Sequence, residues 1–132
     1  NLIEPQSVGT TAKLTLLGGA TAGARPPLWE TPGFHSYGGE AEKVSGLPGA
    51  DNTLTPGLTE SMVRFAARHE YARTVEDVLA RRSRLLFLDA REAMRLAEPV
   101  AAILATELGS GFNPNDCAEQ FCKLAAGYLN LP

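Results

Sequence analysis

The sequence predicts an all-α fold: a small bundle of about five helices preceded by a Gly/Pro-rich irregular N-terminal arm. Two observations carry this. From Leu58 onward, apolar residues recur at helical spacing, with helix-start and helix-stop residues between the repeats. Before Leu58, most of the glycines and prolines crowd into clusters such as Gly18-Gly19, Arg25-Pro26-Pro27 and Gly38-Gly39, and apolar residues show no helical recurrence. Residues 1–57 are therefore expected to form an irregular arm packed on the domain. Residues 58–132 are expected to form the helical part, one structural domain overall. Within the arm, only Ala12–Leu17 (AKLTLL) suggests a strand or short extended segment.

The helices follow in order. Leu58, Met62, Phe65, Ala66 and His69 share one face of a first helix over about Thr59–Tyr71. Thr74 caps a second, with Asp77 at its third position in a capping box. The apolar stripe of that helix reads Val75, Val78, Leu79, Arg82, Leu85 and Leu86. Asp89, with Glu92 three residues on, opens a short helix that Pro99 ends. Pro99 also suits the first turn of the next helix, Val100–Leu108, which Gly109 closes. Asn113 caps a last helix with Pro114 at its first position, running to about Tyr128 through Phe121, Leu124 and Ala125.

Composition bounds the function. The chain has 132 residues, 44% apolar and 20% charged, ordinary for one soluble globular domain. Its net charge of −3 argues against a general nucleic-acid binder, which needs a basic surface to displace phosphate counterions. No apolar run approaches the roughly 20 residues that cross a bilayer. The chain opens Asn1-Leu2-Ile3, without a secretory signal or initiator methionine, a start compatible with a fragment cut from a longer protein and equally with processing or a trimmed terminus. Cys117 and Cys122 would point about 140° apart on a helix, so they are expected as reduced thiols. Together with His35 and His69 they match no zinc-ligand spacing, and no metal is expected.

Arginine is concentrated between Arg64 and Arg95 and interleaved with acids. For Arg64, Arg68, Arg84, Arg91 and Arg95 a salt-bridge-laced, solvated helix surface is expected. Asp77 and Arg81 stand at i,i+4 and should pair. Arg82 falls on an apolar stripe, where a guanidinium is costly unless paired; Glu70 is a candidate partner. Such an arginine is either a buried structural brace or a contact to another domain. His69 is expected as a packed, hydrogen-bonded core residue, because no serine, cysteine or second histidine is placed to make it a relay. Gly18-Gly19-Ala20 and Gly38-Gly39 lack the G-x-G-x-x-G spacing of a dinucleotide loop, and no Walker loop, metal motif or catalytic triad occurs. No catalytic or cofactor-binding residue is therefore assigned.

The run Arg68–Ala93, RHEYARTVEDVLARRSRLLFLDAREA, resembles a signature in the C-terminal region of FAD-dependent glycerol-3-phosphate dehydrogenases. The resemblance extends from about Leu47 to Leu108, and the upstream LLGGA resembles the segment before the family's cap. It implies a parent that oxidises sn-glycerol 3-phosphate to dihydroxyacetone phosphate and passes electrons through FAD to a membrane quinone. The parent would be cytoplasmic and peripheral to the inner membrane, with an N-terminal flavin and substrate domain and a helical C-terminal cap. The N-terminal part of the pattern is missing here, so no cofactor is expected in this piece, and its implied partner is that FAD domain, engaged through packing or dimerisation. Only His69, Glu70, Thr74, Asp77, Arg81 and Arg82 carry over, as structural or docking positions. A glycerophosphate oxidase cap and an autonomous helical interaction module are the alternatives.

Overall fold

The structure, a computed structural model, describes residues 9–14, 16, 27 and 29–129. It is a mostly helical domain with one small hairpin. Helix α1 spans Ala41–Ser45, strands β1 and β2 span Thr53–Thr55 and Leu58–Thr59, and α2 spans Glu60–His69. A π-helix follows over Asp77–Arg82, then α3 (Leu85–Leu88), α4 (Ala90–Arg95), α5 (Ala97–Leu108) and α6 (Pro114–Ala126).

Side-chain caps place three of the six α-helix starts among the described residues. Thr59 Oγ1 accepts the Met62 amide at 3.4 Å, and Asp89 Oδ1 accepts the Glu92 amide at 3.0 Å. Asn113 Oδ1 accepts the amides of Asn115 and Asp116, with Pro114 at the first helical position. Helix α5 begins at Ala97, so Pro99 lies in its first turn, and Gly109 ends it at φ 76°. The core forms where α5 touches both α2 and α6. Phe65, Val63, Val100, Leu104, Phe121 and Ala125 are buried there. Leu124, expected on the buried face of α6, is instead exposed.

The segment expected to be irregular carries structure. A 3₁₀-helix runs over Phe34–Glu40, α1 follows, and β1 pairs antiparallel with β2 through Thr53↔Thr59 and Thr55↔Leu58. The expected boundary after residue 57 thus falls inside the hairpin. Elements of three to five residues are too short to show a periodicity, and they owe their stability to packing. Val44 of α1 is fully buried in the same core, and the Tyr37 ring meets Phe65 edge-on at 5.3 Å. The hairpin turn does have a local signal: Pro56 precedes Gly57, whose φ of 86° needs glycine. Of AKLTLL, Thr15 and Leu17 lie outside the described residues. Thr11–Lys13 is a 3₁₀ turn, while Leu14 and Leu16 are exposed and belong to no strand. Gly18-Gly19-Ala20 and Arg25-Pro26 also lie outside the described residues.

Candidate functional site

Helix α2 ends abruptly. Tyr71 takes a left-handed conformation at φ 59°, a position usually given to glycine, and turns the chain back. Arg73 secures the turn by donating to the carbonyls of Ala67 and Ala72 at 3.0 and 3.3 Å, while its guanidinium lies 4.4 Å over the Tyr71 ring. The next helix starts with a full capping box. Thr74 Oγ1 accepts the Asp77 amide at 3.1 Å, and Asp77 Oδ2 accepts the amides of Arg73 and Thr74 at 3.0 and 2.9 Å. Burial alone would raise the Asp77 carboxyl, but the donors from Arg73, Thr74 and Arg81 outweigh it and hold it below its ordinary value. Arg81 pairs with Asp77, and also with Glu76 at 2.8 Å.

Arg82 pairs with Glu70. Its Nε donates to Glu70 Oε2 at 3.0 Å, and Nη2 donates to the Glu70 carbonyl. Its side chain is 36% exposed, so the brace is not buried as the apolar stripe had suggested. The cause is the π-helix. The Ser83 amide bonds the Val78 carbonyl at 2.9 Å, an i→i+5 step that adds a residue to the turn and carries Arg82 off the stripe. The stripe also breaks beyond it. Arg84 sits left-handed at φ 59°, and Leu85–Leu88 form a separate helix in which Leu86 is buried while Phe87 and Leu88 are exposed.

His69 also departs from expectation. As the last residue of α2 it lies past the edge of the core, exposed, with its ring 4.7 Å from that of Phe65. Beside it, Tyr37 lines a groove with Glu70 and Arg82. Burial, and then the charge of Glu70, push the Tyr37 phenol up to about 12, with Arg82 opposing them.

One pairing was not legible in the sequence. Glu107 of α5, only 7% exposed, accepts Arg64 Nη1 and Arg68 Nε, each at 2.6 Å. Arg64 also pairs with Glu60, which accepts the Asn52 side-chain amide at 2.9 Å. The hydrogen bond from Arg68 leads in holding the Glu107 carboxyl below its usual range; burial opposes it and Arg64 adds to it. Arg64 and Arg68 were expected as solvated surface pairs. Both are paired, Arg64 with Glu60 one turn away, and Arg68 is 42% exposed; their shared partner Glu107 in addition fastens α2 to α5, across a sequence separation that no local pattern reveals.

The acidic side chains at these turns are engaged in ion pairs. Asp77, Glu70, Glu107 and Glu60 each serve an arginine. Among the described residues no three His, Cys, Asp or Glu side chains gather as a metal set. Cys117 and Cys122 are unbridged; the Cys117 sulfur accepts the Val75 amide at 3.3 Å, and burial, then Glu98, raise the Cys122 thiol. Gly38 kinks the 3₁₀ segment Phe34–Glu40 at φ 55°, and Gly38-Gly39 does not join a strand to a helix as a dinucleotide loop requires.

Residues 10–111 match the family described as the C-terminal domain of alpha-glycerophosphate oxidase. The chain belongs to this family. Its helical domain is thus of a kind that stands at the C-terminal end of a larger enzyme. The domain is 35% identical over 79% of its length to the mitochondrial glycerol-3-phosphate dehydrogenase SDP6 of Arabidopsis thaliana, and spans 18% of that protein. It is 41% identical to the mitochondrial glycerol-3-phosphate dehydrogenase of Schizosaccharomyces pombe, over 39% of the domain and 8% of the yeast protein. Its identity to the probable mitochondrial glycerol-3-phosphate dehydrogenase of Dictyostelium discoideum is 37%, over 54% of the domain and 12% of that relative. No solved structure gives a significant match.

Proposed function

We propose that this chain is the non-catalytic C-terminal helical domain of an FAD-dependent glycerol-3-phosphate dehydrogenase, and that it supports the flavin domain by packing or dimerisation. The observation that carries the reading is the likeness to a glycerol-3-phosphate dehydrogenase over 79% of the chain, joined to membership of a C-terminal-domain family. In this reading the parent oxidises sn-glycerol 3-phosphate to dihydroxyacetone phosphate, and FAD in the upstream part carries the electrons towards quinone. The described residues do not fit FAD themselves: the two strands are three and two residues long and turn into each other, leaving no strand–loop–helix unit for the pyrophosphate. Our reading gives His69, Glu70, Asp77, Arg81 and Arg82 structural or docking roles.

The parent is proposed as a peripheral protein of the inner membrane, facing the cytoplasm. The relatives are named as mitochondrial, and among the described residues no helix is long and apolar enough to cross a bilayer. A glycerophosphate oxidase parent is the second reading, favoured by the family's own description. Oxygen consumption against quinone-analogue reduction by the intact enzyme separates the two. Reading the gene upstream of Asn1 tests both: a G-x-G-x-x-G between strand and helix patterns supports a flavin parent. A stop codon or an unrelated domain there leaves an autonomous interaction module.

A further inference from the structure

We infer that the groove rimmed by Arg84 and Leu88 is where this domain seats the flavin part of its own enzyme, which enters with an apolar side chain flanked by a carboxylate. The inference rests on the function proposed above and adds the surface and its chemistry. The groove has a volume of about 440 Å³. Leu58, Met62, Ala66 and Val78, all buried in the core, form its apolar lining together with Leu85.

Three independent features converge on its rim. Leu88 is 80% exposed, at the end of a four-residue helix that buries only Leu86. A helix that short has no stability of its own, and a leucine left in water at its end contributes nothing to the free domain. The second feature is charge. Arg81 and Arg82 each have acidic partners, whereas Arg84 has none among the described residues. The third is the backbone. Arg84 holds φ 59°, where glycine would sit without strain, and the bend is fixed by Ser83 Oγ, which donates to the Val78 carbonyl at 3.0 Å and accepts the Leu85 amide at 3.4 Å. Strained non-glycine residues beside a π-helix are a recurring mark of clamps and contact sites.

An unpaired cation beside an uncovered leucine calls for a partner surface that is acidic and apolar together. The Arabidopsis relative has ample further chain that could supply such a surface, since the domain spans only 18% of it. A second copy of the domain fits less well: a two-fold contact through this rim brings two unpaired Arg84 cations into one interface.

Hydrogen exchange at the amides of residues 85–89 tests this, measured in this chain alone and in the intact enzyme. The expected result is exchange at least about tenfold slower in the intact enzyme, with α6 residues Glu119–Lys123 unchanged. Leu88→Asp in the intact enzyme should return the groove to the rate of the chain alone. Arg84→Gly, which removes the guanidinium while relieving the backbone, should do so in part without unfolding the domain. Protection elsewhere on the domain but not at the groove would overturn the inference while leaving the docking function standing. Protection nowhere would overturn both. Protection that arises in the chain alone as its concentration rises would assign the groove to a second copy and overturn the inference.

Discussion

Arg82 reaches back from the end of the π-helix to Glu70 at the end of α2, donating to both the carboxylate and the main-chain carbonyl of that one residue. The pair spans the turn made by Tyr71–Arg73, so it fixes the angle at which the two helices leave each other. Arg82→Ala should lower unfolding stability by about 1 kcal/mol, modest because both side chains are about one-third exposed. Arg82→Lys should recover less than half of that loss, since an ammonium does not offer the fork that serves two acceptors. Urea midpoints for the two variants give the comparison.

Glu107 should matter more. It is almost wholly enclosed and accepts from two arginines, so Glu107→Gln leaves a weakened acceptor between them and should cost about 2–3 kcal/mol. Its folded carboxyl lies below the unfolded value, so its contribution is present above about pH 4.5 and is lost as pH falls through the depressed folded value. The variant should accordingly show a flatter acid limb in a plot of stability against pH. Equal slopes for variant and parent count against the clamp.

Tyr37 predicts the opposite limb. Its phenol is raised to about 12, so the neutral form is favoured by folding; that advantage is intact below about pH 10 and fades as pH rises towards 12. One of the three tyrosines should therefore ionise late in a phenolate absorbance titration. Tyr37→Phe should abolish that late step and soften the loss of stability in alkali.

Gly49 has a strict requirement. It sits at φ 83°, and a Cβ there would lie 2.6 Å from the Cβ of Glu60. Gly49→Ala should destabilise by about 2 kcal/mol, combining backbone strain with displacement of a side chain that pairs with Arg64. Thermal unfolding of the variant provides the measurement, and an unchanged midpoint would show that the loop yields freely.

What the sequence made legible is what physics keeps local. Thr74, Asp89 and Asn113 cap helices through bonds that reach two or three residues, and Asp77–Arg81 lie one turn apart, so residue types alone placed them. The π-helix was not legible, because one added residue per turn depends on how Val78 and Leu79 pack, and it left Arg82, expected to be buried, about one-third exposed. Arg84 gave no sign of its left-handed backbone. Glu107 could not be matched to Arg64 and Arg68 without knowing that α5 lies against α2. The short helices and hairpin before residue 58 were hidden by their length, although Pro56-Gly57 marked the turn.

The most direct test is the flavin content and turnover of the purified 132-residue chain, measured with FAD and glycerol 3-phosphate supplied. The proposed role predicts a folded, colourless protein that retains no FAD after gel filtration and reduces no electron acceptor, while the intact enzyme does both. Bound flavin absorbance or substrate-dependent reduction by the chain alone would contradict it.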